Sequence, residues 1–180
     1  MTGRIEVICG PMFSGKSEEL LRRLKRADIA KRKYALVKPA IDSRYSEDEV
    51  VSHSGRKLPC HAIESPWDVF NHINSATKIV AFDEAQFFDD RLIRVVDALV
   101  KEGRRVVIAG LDMDSNGAPF GPMPELLALA EEVYKITAVC EICGEPATHS
   151  HRLSTDAGLV LVGAGEHYQA RCREHWQKKT

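Results

Sequence analysis

The sequence has no surplus of charge of either sign: 25 Lys and Arg face 26 Asp and Glu, a formal net charge of -1. A chain so balanced has no global field drawing it to nucleic acid or to an anionic membrane, so any such binding must be local. Long apolar runs are missing as well. No stretch approaches the roughly 18 apolar residues of a transmembrane helix, and the opening "MTGRIEVICG" lacks the apolar segment and small-residue cleavage site of a secretory leader. A cytoplasmic chain with no nucleic-acid or membrane partner is the expectation. Cysteine is scarce and odd in number, five at positions 9, 60, 140, 143 and 172. An odd count crowded toward the C-terminus suits reduced thiols and a metal rather than disulfides. At 180 residues and 44% hydrophobic, the chain has material for one well-buried core and a small appendage, not for two full domains.

What is present alternates. "RIEVICG" (4–10) reads as a strand ending in glycine, and "SEELLRRLKRADIAKR" (17–32) carries Leu20, Leu21, Leu24 and Ala27 at helical spacing. "KYALVKP" (33–39) is a second strand, and the polar stretch 40–55 has no period and reads as a working loop. "CHAI" (60–63) suits a short strand, "PWDVFNHIN" (66–74) a helix with Pro in its first turn, and "KIVAFDE" (78–84) a buried strand. An amphipathic helix (90–103), a buried strand (104–112) and a further helix (124–132) follow. Strands alternating with helices predict a parallel α/β sheet covered on both faces. Beyond Val133 the texture changes to cysteines, histidines and an apolar run, "GLVLVGAG" (158–165), which divides the chain into a main unit, 1–133, and an appendage, 134–180. Residues 22–33 hold seven Lys and Arg; such a run is read as a solvated helix face without function.

"GPMFSGKS" (10–17) lies between the first strand and the first helix and fits G-x-x-x-x-G-K-S. A triphosphate needs donors converging on closely spaced oxygens, and backbone N–H groups of a glycine loop opening onto a helix supply them without side-chain bulk. Gly10 and Gly15 permit the turn around Pro11, Met12, Phe13 and Ser14. Lys16 reaches the β/γ-phosphates, and the Ser17 hydroxyl suits a Mg²⁺ ligand position. The metal also needs a carboxylate, and Asp83, at the end of the apolar "IVAF", stands where a Walker-B aspartate would. Glu84 comes next and falls on the other side of the pleat if the strand continues. There it serves either an ATPase, positioning water, or a kinase, accepting a proton from an alcohol.

"CEIC" (140–143) and "CREH" (172–175) are two C-x-x-[C/H] pairs, so Cys140, Cys143, Cys172 and His175 suit a tetrahedral Cys₃His zinc site with no open position, hence a structural one. His149, His151 and His167 compete for the fourth place, and the knuckle spacing favours His175. Cys9 and Cys60 sit in apolar runs as buried small residues. A zinc clamp makes a fixed loop of the residues between the pairs. That loop is suited to folding over a small ligand; a ribbon meeting nucleic acid is the rival, but it is short of Lys and Arg.

The ordered set "GPMFSGKS", "KPAIDSRY" with "SHSG", "DEAQFF", "GLD" followed by "PFG", and "TAVCEIC" with "CREH" resembles the tetrameric, zinc-containing thymidine kinases nearly end to end. The resemblance implies a P-loop α/β domain with a zinc-binding lasso, ATP and thymidine as substrates, Mg²⁺ with the ATP and a homotetramer. It also implies thymidine triphosphate as a feedback inhibitor. It assigns Glu84 as proton acceptor, with Asp83 and Gln86 on the magnesium-phosphate side, and Asp42 and Arg44 as polar phosphate-site residues. Met12, Phe87, Leu111 and Phe120 match thymine-pocket positions, although each also suits a core. Tyr168 matches the lasso tyrosine, and Leu159, Val160, Leu161, Val162 and Gly163 the segment whose backbone grips the base. Two positions depart from the pattern: Ser115 stands where many members carry a phenylalanine lining the nucleoside, and His175 where some have a cysteine ligand; Ser150 stands near the place where some have a threonine beside the thymine methyl. The rival readings are a P-loop ATPase or switch carrying a zinc ribbon, and a zinc-ribbon nucleic-acid module.

Overall fold

The computed structural model describes residues 2–40, 49–51, 57–153 and 167–176. Asp42, Arg44 and the segment from Leu159 to Gly163 lie outside the described residues. The main unit is built on β1 (Arg4–Cys9), β2 (Lys33–Pro39), a short antiparallel pair β3 (Glu49–Val51) and β4 (Lys57–Pro59), then β5 (His61–Ile63), β6 (Thr77–Phe82), β7 (Arg105–Gly110) and β8 (Glu132–Lys135). Six of these form one sheet in the order β5-β2-β6-β7-β1-β8, every pairing parallel. Parallel strands are joined by crossovers that lay helices on both faces, so the central strands are largely apolar. Val7, Ile8, Val80, Ala81, Phe82, Val107 and Ile108 are all fully buried.

The faces sort by alternation along each strand. Val7, Val80, Phe82, Val106 and Ile108 pack with Leu92, Val95, Val96 and Leu99 of α2 (Arg91–Lys101), with Met123 and Leu126 of α3 (Met123–Leu129), and with Val69 of the 3-10 helix Pro66–His72. Ile8, Leu36, Ala81, Val107 and Ala109 pack against Leu20, Leu21, Leu24 and Ala27 of α1 (Lys16–Ile29), the residues whose spacing predicts that helix. At about 1.5–3 kcal/mol for each fully buried large aliphatic side chain, the four leucines and valines of α2 anchor that helix far more strongly than its own propensity does.

Three expectations change. The helix expected over 124–132 ends at Leu129, because Ala130 turns extended (φ -70°, ψ 135°) and the chain pairs with the open edge of β1 as β8. Glu131 N–H donates to Ile5 O at the start of that pairing (3.1 Å), so the sheet runs past residue 133, where the sequence changes texture. The segment at 66–74 is helical but of the tighter 3-10 kind, held by a capping box between Ser65 and Asp68. Within the basic run, Arg22, Lys25, Arg26 and Lys31 are exposed as expected, but Arg23 is buried. The cause is Glu6 in the middle of β1, a fully buried carboxylate on the α1 face. Arg23 (2.5 Å), Arg105 (2.6 and 2.7 Å) and Arg4 (2.6 Å) converge on it. Burial works against the Glu6 charge, yet the Arg105 fork and the other guanidinium groups outweigh it and hold its carboxyl below the ordinary value.

The appendage consists of two antiparallel pairs, β9 (Ala138–Val139) with β10 (Pro146–Ala147) and β11 (His149–Arg152) with β12 (Tyr168–Arg171). Its buried cluster is Ala138, Cys140, Ala147 and Ala170, with Cys172 against it. Among the described residues these small side chains bury little apolar area.

Candidate active site

Strands β1, β6 and β7 end at one edge of the sheet, where a parallel α/β fold presents its ligands. After Cys9 the chain turns at Gly10 (φ 144°), where a Cβ would lie 2.1 Å from the carbonyl oxygen of Ile136; no side chain fits there. Ile136 N–H donates to Cys9 O (2.8 Å), fixing the loop's base against the chain leaving β8. The loop closes on itself, since Ser14 Oγ and Lys16 Nζ both donate to Pro11 O (2.8 and 2.7 Å). Burial lowers the pKa of Lys16, and the carboxylates of Glu84, Asp83 and Asp112 only partly offset it. The loop between β1 and α1 is thus held closed by two side-chain donors on one carbonyl, with the Lys16 ammonium folded back onto Pro11.

At the end of β6, Asp83 is buried and receives the Ser17 hydroxyl on its two oxygens (3.1 and 3.3 Å). Burial and the neighbouring Glu84 push the Asp83 carboxyl up to about 7. The two oxygen ligands expected for Mg²⁺ therefore stand in contact, and the donor set is the hydroxyl-plus-carboxylate kind that suits it. The strand stops at Phe82 instead of carrying Glu84 across the pleat. Glu84 adopts a left-handed backbone (φ 51°, ψ 40°), its N–H donating to Asp83 Oδ1 (3.0 Å), with its side chain exposed. That conformation costs a non-glycine residue on the order of 1–2 kcal/mol, strain of the kind that gathers at functional sites.

Gln86, 2% exposed, is engaged at both ends of its amide. Its Nε2 donates to Glu84 Oε2 (2.6 Å), and its Oε1 accepts the N–H of Leu111 at the end of β7 (2.9 Å). One side chain thus ties the carboxylate to the neighbouring strand. Phe87 meets Phe120 edge to face (5.6 Å, 87°), an aromatic pair contributed by the segments after β6 and β7. Met12, Leu111 and Ser115 are half-buried in the loops after β1 and β7. Ser150 of β11 accepts the N–H of Met12 on its hydroxyl (3.0 Å), joining the appendage to the phosphate loop. Tyr168 opens β12 opposite Arg152 and is buried.

The ligating atoms of Cys140, Cys143, Cys172 and His175 all lie within 4.8 Å of one another. Cys143 Sγ and Cys172 Sγ are 3.8 Å apart, and His175 Nδ1 stands 3.2 Å from Cys172 Sγ and 3.9 Å from Cys140 Sγ. Zinc bonds of about 2.3 Å to sulfur and 2.0–2.1 Å to nitrogen give tetrahedral edges of roughly 3.5–3.8 Å, so the cluster fits that ion. Burial would raise the Cys140 thiol, but backbone N–H groups of Cys172, Ile142 and Cys143 outweigh it and bring it down to about 6. The backbone N–H of Glu145 lowers the Cys143 thiol too, but burial and its neighbours Cys140 and Cys172 push it the other way, up to about 11, so the first proton leaves the crowded sulfurs readily and the next is held. His149, His151 and His167 stand outside the cluster.

A family model described as thymidine kinase matches residues 3–176. The chain belongs to the thymidine kinase family. As a thymidine kinase it is a phosphotransferase that phosphorylates thymidine, and nothing favours the ATPase alternative. A thymidine kinase must hold a phosphate donor and a nucleoside hydroxyl in one place, and a phosphate loop, an exposed carboxylate and an aromatic wall border the same sheet edge in this one. No helix among the described residues is long and apolar enough to cross a membrane. Sequence reading missed several contacts of this kinase. Lys135 pairs with the buried Asp112 (2.6 Å), and Trp176 stacks on His149. Each pair joins residues far apart in the chain, and no local spacing announces the contact.

Proposed function

We propose that this thymidine kinase transfers the γ-phosphoryl group of ATP to the 5′-hydroxyl of thymidine, giving thymidine monophosphate and ADP, with Glu84 as proton acceptor. The observation that carries the reading is the placement of Glu84: exposed, beside the buried Asp83–Ser17 pair, and aimed by Gln86. The 5′ oxygen forms a bond to Pγ as the bond from Pγ to the β-bridging oxygen breaks, and the hydroxyl proton passes to a Glu84 oxygen. The transition state of such a transfer is loose, so catalysis comes mainly from positioning and from neutralising charge on the phosphoryl oxygens. The N–H groups of residues 10–17 and the Lys16 ammonium serve that purpose, with Asp42 and Arg44 assigned to the phosphates by resemblance. Ser17 Oγ and Asp83 would hold Mg²⁺, which when bound with ATP neutralises the β- and γ-oxygens.

Phe87, Phe120, Leu111, Met12 and Ser115 line the thymine side, and resemblance assigns the grip on the base to Tyr168 and to Leu159, Val160, Leu161, Val162 and Gly163. Cys140, Cys143, Cys172 and His175 hold a structural zinc. In this reading residues 1–133 form the ATP-binding unit and 134–180 the lasso unit, with β8 running across the join. Homotetramer assembly, feedback by thymidine triphosphate and a cytoplasmic location rest on family resemblance. The test is ATP turnover with and without thymidine, with the product identified as thymidine monophosphate. Turnover independent of thymidine overturns the reading in favour of an ATPase, and salt-sensitive DNA binding without turnover overturns it in favour of a nucleic-acid module.

A further inference from the structure

Trp176 directly follows the last ligand of the Cys₃His cluster, and its N–H donates to Cys172 O (2.9 Å), making it the closing residue of the second knuckle. Its indole leaves the knuckle and enters the space between two other elements. On one side it stacks on His149 of β11, ring centroids 4.5 Å apart and planes 22° from parallel. On the other it covers Gly117, where a Cβ would lie 2.6 Å from the Trp176 ring, so the turn meets the indole with its backbone.

Both elements lead to the nucleoside side of the site. Gly117 lies in the turn that follows β7, between Asp112 and Phe120. That turn is held by Asp114 N–H to Ala118 O (2.9 Å), by Asp114 Oδ1 accepting from Asn116 and Ala118 (2.8 and 2.9 Å), and by Phe120 N–H to Asp112 O (3.2 Å). Ser115 rides on this turn, and Phe120 at its end forms the wall with Phe87. His149 is followed by Ser150, whose hydroxyl holds Met12 N–H. The turn and β11 are separate in the chain and meet through this indole.

We propose that Trp176 is a positioning residue for the nucleoside pocket, the strut through which the Cys₃His knot sets the turn carrying Ser115 and Phe120. This rests on the reading above, in which those residues border thymidine. The indole Nε1 is buried with no hydrogen-bond partner among the described residues, so the ring is fixed by its faces and edge and not by a directional bond. A buried donor left unpaired is itself unfavourable; the ring's shape is therefore the property that matters, and a phenyl ring should replace much of it.

The experiment is steady-state kinetics on full-length Trp176→Ala and Trp176→Phe, varying thymidine and ATP separately, with zinc content and melting temperature measured on the same samples. Trp176→Ala should raise the thymidine KM about tenfold while changing kcat and the ATP KM by no more than about twofold, and Trp176→Phe should recover most of the loss. A folded, zinc-loaded Trp176→Ala with a normal thymidine KM overturns the proposal, as does an equal rise in both KM values. If Trp176→Ala does not fold or hold zinc, a Trp67→Phe protein makes Trp176 the sole indole. Its emission should change saturably with thymidine and not with ATP alone, and unchanged emission overturns the proposal. A parent protein that does not phosphorylate thymidine at all defeats the underlying reading instead, and the proposal with it.

Discussion

Removing the Gln86 amide should separate the stability of the site from its chemistry. Gln86→Leu keeps the approximate volume but deletes both polar atoms of a side chain that is 2% exposed. The N–H of half-buried Leu111 then loses its acceptor at 2.9 Å, and a donor left unmatched there costs about 1–2 kcal/mol, the low end for a buried one. The other lost contact, Nε2 to Glu84 Oε2 at 2.6 Å, involves an exposed carboxylate that water can solvate, so it contributes less than about 1 kcal/mol to stability. A destabilisation of about 1–3 kcal/mol follows from the sum, read as a lowered midpoint of urea unfolding. The catalytic effect comes from the second contact. Without the amide, Glu84 regains rotamers that do not face the acceptor hydroxyl, and kcat should fall roughly 10–100-fold with little change in the ATP KM. The decisive assay is a double-mutant cycle: in a Glu84→Gln background, Gln86→Leu should lower kcat no further, while its stability cost persists. Additive losses in kcat, or a folded Gln86→Leu enzyme with kcat within about twofold of the parent, would refute the idea that Gln86 acts through Glu84.

Glu84→Gln itself should leave ATP and thymidine binding intact while lowering kcat on the order of 10²–10⁴-fold, measured by coupled ADP release; near-normal turnover would remove Glu84 from the mechanism. Cys172→Ser leaves too few ligands to close a four-coordinate site, so the protein should lose its zinc and bind thymidine much more weakly while still binding ATP, as calorimetric titration of each ligand with metal analysis would show. Glu6→Gln should cost about 2–3 kcal/mol at neutral pH, less than a fully enclosed pair because Arg4 and Arg105 are partly exposed. Because the folded-state pKa of Glu6 is lowered, its stabilisation is complete above its unfolded value and is lost as pH falls through the folded one; the difference in unfolding free energy between parent and variant should therefore shrink below about pH 4.

Strand β1, helix α1, strands β6 and β7 and the Cys₃His knot are all legible in the sequence, because each is a local pattern: an apolar run, a helical spacing, a pair of knuckles. Glu6 is not, since the arginines that neutralise it come from positions 4, 23 and 105, and no period announces them. Strand β8 hides for a related reason. "EVYK" is exposed throughout and follows a helix without a break in polarity, and only the vacant edge of β1 makes it a strand. The backbone of Glu84 was equally out of reach, because nothing in "FDEAQ" distinguishes a strand that continues from one that turns left-handed.

The same distinction divides the site in two. The phosphate half closes through bonds between residues three and five apart, Ser14 and Lys16 to Pro11. Closing so short a loop costs little entropy. The nucleoside half is joined by contacts such as Met12 to Ser150, 138 positions apart, and by an indole that has to reach Gly117 from the far end of the chain. Such contacts need the whole fold in place, and within the appendage they would draw on a metal held by the Cys₃His cluster. Local opening should therefore begin on the nucleoside side and leave the phosphate loop formed. Amide hydrogen exchange offers a direct check: on metal removal, protection of β11, β12 and the turn at 112–120 should fall while that of residues 14–24 persists. Equal loss in both regions would mean that the phosphate loop depends on the knot as much as the pocket does.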